Sequence, residues 1–205
     1  MDLLKRDDLP PSQEEDLASE RAKAAVKDFV TKTRQGLLAE TRLQGAMTLA
    51  QFVNNSYGIE AAMLGKHLRQ QRAIAFVLQL LYEGEVKLQR IGLMLVSNLC
   101  SDAFDPKSAE TKRQVQHASV FERIKDFVYS PDTVAQVYAL ACLQNLSKDV
   151  AFARLIRDYE VRAPCVVFPR DALRAPHPDT LPAQCKSPGW QRWCRCCPAL
   201  SKCWK

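Results

Sequence analysis

The chain has 205 residues, 47% hydrophobic and 25% charged, with a formal net charge of +6, which is enough material for one ordinary domain. It contains no Gly-rich phosphate loop, no G-x-S-x-G elbow and no H-E-x-x-H pair, so nothing in it reads as an enzyme. The charge is lopsided: residues 161–205 hold eight Lys/Arg against two Asp/Glu, leaving 21 of each sign and no net charge in residues 1–160, so the chain's net charge says nothing about a basic groove there.

The N-terminus, MDLLKRDDLPPSQEED, is charged and interrupted by Pro10 and Pro11. It lacks the basic-then-apolar layout of a signal peptide. Residues 1–11 read as a flexible leader. Ser12 and Glu15 then form an S-x-x-E capping box that predicts a helix start. No proline follows until Pro106, as a run of helices requires. Helices are expected at residues 12–35, 40–55, 57–67, 70–83, 85–101, 108–117, 118–129, 132–147 and 149–159. Ile74, Val77, Leu78 and Leu81 fall at i, i+3, i+4 and i+7, and Leu88, Ile91, Leu95 and Leu99 at i, i+3, i+7 and i+11. Gly84 is expected as a left-handed C-cap, and Ser130–Pro131 as an N-cap followed by a first-turn proline. Residues 103–112, around Asp105-Pro106, read as a loop. No apolar run approaches the roughly 18 residues needed to span a bilayer, and a cytoplasmic or nuclear protein is expected.

Two stretches repeat at an offset of 47. Residues 73–102 read AIAFVLQLLYEGEVKLQRIGLMLVSNLCSD and residues 120–149 read VFERIKDFVYSPDTVAQVYALACLQNLSKD. Tyr82, Gln89, Leu93, Asn98, Leu99 and Asp102 recur as Tyr129, Gln136, Leu140, Asn145, Leu146 and Asp149. Leu93, Leu99, Leu140 and Leu146 are accordingly expected in equivalent buried places. A fainter copy lies upstream, where Met47, Leu49, Phe52 and Asn54 match Ile91, Leu93, Val96 and Asn98 at an offset of 44. Such a period points to stacked helical units that bury their apolar faces only against neighbours. Gly92, with Ala139 as its counterpart, reads as a point of close helix packing.

The second helices AIAFVLQLL and VFERIKDFV, the small residues Gly92 and Ala139, and the endings Ser97-Asn98-Leu99 and Gln144-Asn145-Leu146 resemble the armadillo repeat family, strongly over residues 73–149 and weakly before. The resemblance implies an all-α, right-handed α-solenoid of about three armadillo-like repeats over residues 12–160, whose third helices line a concave groove. It implies that Asn98 and Asn145, with Asn54 less securely, bind the backbone of an extended peptide or partner protein, an amide offering both donor and acceptor. The competing reading is that these asparagines bond local backbone. Import adaptors of the family place Trp four residues before the Asn. Met94, Ala141 and Ala50 stand there instead, which disfavours nuclear-signal binding.

His67 and His117 read as lone surface histidines, and Cys100 and Cys142 as small hydrophobes. The basic runs Lys66, Arg69, Arg72 and Lys107, Lys112, Arg113 read as solvated helix faces, so nucleic acid is not the favoured partner. Residues 161–205 hold six of the eight Cys, seven of the eleven Pro and all three Trp. Cys194 and Cys197 have C-x-x-C spacing without a second pair to complete a zinc site, so neither metal nor cofactor is expected. Trp190, Trp193 and Trp204 among basic residues admit membrane or base stacking as weaker readings. The segment is expected to be disordered, with the composition of translated non-coding sequence. The unit opened by Phe152, Leu155 and Ile156 is thereby left incomplete, so this end should fray, self-associate or be completed by further repeats. The reading is thus a protein-interaction module, with a structural segment of a larger scaffold as the alternative.

Overall fold

The computed structural model describes residues 11–34, 38–117 and 120–158. The leader, residues 161–205 and the expectations attached to them lie outside the described residues, as does the side chain of His117. Within them the chain is all-helical: α1 (Pro11–Thr33), α2 (Ala39–Asn55), α3 (Ile59–Gln70), α4 (Ile74–Gln79) continued by a 3-10 turn (Leu80–Tyr82), α5 (Val86–Leu99), α6 (Ser108–His117), α7 (Phe121–Val128), α8 (Thr133–Leu146) and α9 (Val150–Asp158).

The helices sort into three sets by what they touch. α5 packs between α2 and α8; α1, α4 with its 3-10 turn, and α7 pack against α2, α5 and α8 in turn. α3 and α6 lie against α1 and α4, and α9 against α8. The near-unbroken apolar run of α5 follows from its place: Leu88, Leu93, Met94, Leu95, Val96 and Leu99 are all buried, so little of its circumference is left for polar residues. One continuous core runs from Ala22 in α1 to Phe152 in α9.

Burial follows a 47-residue step. Ala73, Ile74, Val77, Leu80 and Leu81 are buried, and so are Val120, Phe121, Ile124, Phe127 and Val128. Buried Gly45, Ala46, Leu49, Ala50 and Val53 of α2 correspond in the same step to buried Gly92, Leu93, Val96, Ser97 and Cys100. At the offset of 44 drawn from sequence, Gly45 and Ala46 would instead meet Gln89 and Arg90, which are only half-buried. The small residues fix the register. A Cβ on Gly92 would stand 3.0 Å from Leu80 Cβ and 3.0 Å from Leu81 Cδ2, and one on Gly45 would stand 2.6 Å from Lys32 Cβ. Each glycine lets its helix lie close on the one before it.

Several local expectations are corrected. Helix α1 is described from Pro11, and the side chain of Ser12, with the capping box expected there, lies outside the described residues. Gly84 is not left-handed, since Gly58 is the only described glycine with positive φ, and the 3-10 turn ends on extended Glu83. The cap of α8 is Asp132, whose carboxylate accepts from Val134 N–H at 3.1 Å, while Ser130 Oγ accepts from Asp132 N–H. Leu93, Leu99 and Leu146 are fully buried, but Leu140 is only half-buried. Among the described helices α5 packs against both α2 and α8, whereas beyond α8 only the short α9 follows.

The expected helix over residues 70–83 is broken at its start. Helix α3 ends with Ala73 N–H on Leu68 O (2.8 Å) and Arg72 N–H on Arg69 O (3.1 Å), the paired bonds of a Schellman cap. This puts Arg72 at φ 55°, in the left-handed region. A side chain there costs about 1 to 2 kcal/mol that glycine would not.

Candidate partner-binding surface

Gln44, Met47, Thr48, Gln51 and Asn55 are exposed along one face of α2, spaced as a helix surface requires. The same positions one step on are Ile91, Met94, Leu95, Asn98 and Asp102; two steps on they are Tyr138, Ala141, Cys142, Asn145 and Asp149. Across three adjacent helices this gives an amide row (Gln51, Asn98, Asn145) beside an apolar row (Met47, Met94, Ala141).

The two asparagines sit differently. Asn98 Nδ2 donates to Met94 O at 3.0 Å within its own helix and lies 3.2 Å from Met94 Sδ. Asn145 Nδ2 donates to Ser97 O at 2.9 Å, tying α8 to the C-terminal turn of α5. Neither side-chain oxygen has a hydrogen-bond partner among the described residues, and both side chains are half-buried. Both nitrogens are thus fixed from within, and both oxygens are open acceptors.

Asn54 stands 44 residues before Asn98. It is half-buried near the end of α2, where its backbone carbonyl accepts from Tyr57 Oη at 3.2 Å. The residue one full step before Asn98 is Gln51, which sequence reasoning missed. Gln51 is exposed and lines a shallow pocket of about 310 Å³ with Arg21, Thr48, Phe52, Asn55, Ser56 and Glu60. Aligning Gly45 with Gly92 and Ala139, in place of Asn54 with Asn98, would have found it.

The basic runs are not simply solvated. Arg69, with its side chain only 7% exposed, pairs with buried Asp105, donates to Thr111 Oγ1 at 3.0 Å and lies 3.4 Å from Glu110. Lys112 is equally buried and donates to Asp102 at 2.7 Å. Hydrogen bonds from Lys112 and Ser108 hold the Asp102 carboxyl down at about 2. Loop 100–107 is therefore a polar seam between α3 and α6 and not a plain surface loop. Cys100 and Cys142 are buried, as their apolar settings predict; burial pushes the Cys100 thiol up to about 12, and Cys142 Sγ donates to Leu93 O.

His67 is half-buried and joins α3 to α1 through Ser19 Oγ at 2.9 Å. Its pKa lies below the ordinary 6.5, first because of burial and then because of Lys66 and Lys23. The folded state therefore binds this proton less readily than the unfolded chain. Stability is full above pH 6.5 and is lost as pH falls from there through the depressed folded value. Denaturation midpoints between pH 7.5 and 5 should fall in the parent and flatten in His67→Gln, which keeps a polar partner for Ser19. An unchanged slope in the variant would assign the pH dependence elsewhere.

Among the described residues no three His, Cys, Asp or Glu side chains gather as metal ligands, and no helix is long and apolar enough to cross a membrane. No protein-family model matches the chain, and comparison with curated proteins and with solved structures finds no match either.

Proposed function

We propose that this chain is a protein-interaction module: an armadillo-like α-solenoid of about three repeats that presents the face of α2, α5 and α8 as a groove for an extended peptide or a segment of a partner protein. One observation carries the reading. Amide side chains recur at a fixed step on three adjacent helices, and those of Asn98 and Asn145 keep an unpartnered oxygen while their nitrogens are held internally. A pre-oriented acceptor suits a peptide N–H because little side-chain freedom is lost on binding. Of the flanking apolar row Met47 is exposed, Ala141 half-buried and Met94 buried, so recognition rests chiefly on the amides, and no catalytic step is proposed.

The test is selection of peptides on the full chain from a displayed random library, followed by affinity measurement. Gln51→Ala and Asn98→Ala should each weaken the selected peptide by about 0.5 to 1.5 kcal/mol, with unchanged helicity. Asn145→Ala should do the same but also lower the melting midpoint, because it cuts the bond to Ser97. Equal affinity in the Gln51→Ala/Asn98→Ala double variant would remove the groove reading.

The second reading is a structural segment of a larger scaffold with no peptide binding of its own. It is favoured by the use of both asparagine nitrogens inside the chain. It expects an empty peptide selection together with concentration-dependent self-association through α8 and α9, measured by sedimentation.

A further inference from the structure

We infer that the seam between α3, α4 and α6 is a second binding site, in which Arg72 grips a carboxylate on an acidic segment of a protein partner. The inference does not depend on the α2–α5–α8 reading. Three observations meet at this point. Arg72 occupies a left-handed cap position that glycine would fill without strain, and strain of this kind persists where a side chain has something to do. Its charge is unmatched: the residue is exposed, and its guanidinium has no ion-pair or hydrogen-bond partner among the described residues. Finally, Arg72 lines a small pocket of about 160 Å³ with Arg69, Ile74, Ala75, Leu78 and Gln114.

The lining says what fits. At that volume the pocket has room for one side chain and not for a ligand of drug size, which needs roughly 300 Å³ or more. Ile74, Ala75 and Leu78 give an apolar wall for a methylene stem, and the Gln114 amide adds a donor at the rim. Arg69 contributes less, because Asp105 and Glu110 already face it. Arg72 supplies the open guanidinium fork, which matches a carboxylate in two parallel bonds. Lys66 on α3 and Lys107 just before α6 are exposed, and neither ammonium has an ion-pair partner among the described residues. A nucleic-acid backbone would need several phosphate contacts in line; one open guanidinium over an apolar wall is a poor match for that.

The experiment uses the full chain, ¹⁵N-labelled, at low salt, titrated with a capped tetraglutamate peptide, with tetraglutamine as the uncharged control. Saturable shifts are expected at the Ala75 amide and the Gln114 side chain with tetraglutamate only, and these should weaken as salt is raised. Arg72→Gly is the decisive variant because it should fold better than the parent. The melting midpoint should rise while peptide affinity falls at least tenfold, and Arg72→Lys should retain part of the affinity. A risen midpoint with unchanged affinity would overturn the site and leave Arg72 an unfavourable helix cap. Inorganic phosphate displacing the peptide at equal concentration would overturn the carboxylate assignment. An oligothymidylate that binds these residues more tightly than the peptide would overturn the protein partner.

Discussion

Gly65→Ala is expected to cost about 3 to 5 kcal/mol, the loss that follows from breaking a buried ion pair, enough to remove much of a domain's stability. The glycine makes space for a charge. A Cβ there would collide with Asp105 Oδ2 and stand 2.7 Å from Asp105 Cγ and 3.1 Å from Arg69 Nη1. Asp105 has no easy retreat, being 1% exposed and pinned on both sides. Its other oxygen accepts from Lys107 N–H at 2.8 Å, its own N–H donates to Ser101 O at 3.0 Å, and its carbonyl accepts from Ser108 N–H at 2.9 Å. Pushing it outward separates two buried charges that have little water to turn to. Guanidinium unfolding of Gly65→Ala, Asp105→Ala and the double variant checks the mechanism. Once the carboxylate is gone the new methyl loses its two closest contacts and keeps only the end of the Arg69 side chain, so the double variant should lose clearly less than the sum of the singles. Strict additivity would mean that the methyl acts through something other than Asp105.

Helix content was open to sequence reasoning because apolar spacing and the proline-free run are local. All nine expected helices have counterparts, displaced by at most four residues, though the one over residues 70–83 is interrupted at Arg72. The misses have one kind of cause. Arg69 with Asp105, Arg90 with Asp132, and Arg42 with Glu83 are partners 36, 42 and 41 residues apart. Nothing in local spacing announces such pairs, so Arg69 and Lys112 looked like members of solvated runs. Turn geometry failed similarly at Gly84, where the residue type permits a left-handed cap that the chain does not use and that Arg72 adopts instead. For the candidate site, matching asparagines aligned Asn54 with Asn98, whereas packing aligns glycines, because a missing Cβ sets how closely two helices approach. Gln51 came into view only with that register.

Leu93→Ala should lower stability by about 3 to 5 kcal/mol, and Leu140→Ala by less than half as much, although the two residues share chemistry, helix position and register. Removing a buried leucine costs the transfer of its carbons plus the cavity left behind, a total of roughly 2 to 5 kcal/mol that grows with how completely the site is enclosed. Leu93 is fully enclosed. Its backbone carbonyl accepts from Cys142 Sγ, the Ser97 carbonyl one turn on accepts from Asn145, and Arg90 one turn back pairs with the Asp132 cap of α8. Those three contacts clamp α8 along the outer side of α5, so a cavity at Leu93 has no easy way to collapse. The corresponding residues of α8, Val137, Leu140 and Gln144, are each half-buried, and of the described helices after α8 only the short α9 packs on it. Water and relaxing neighbours can fill a gap at Leu140, so the cavity part of the cost should largely vanish there. The difference between two chemically identical substitutions measures what one neighbouring helix is worth in this array, in which each unit depends on the next for cover. Equal losses from the two substitutions would mean that α8 is enclosed as completely as α5, and the one-sided account of the array's end would have to be given up.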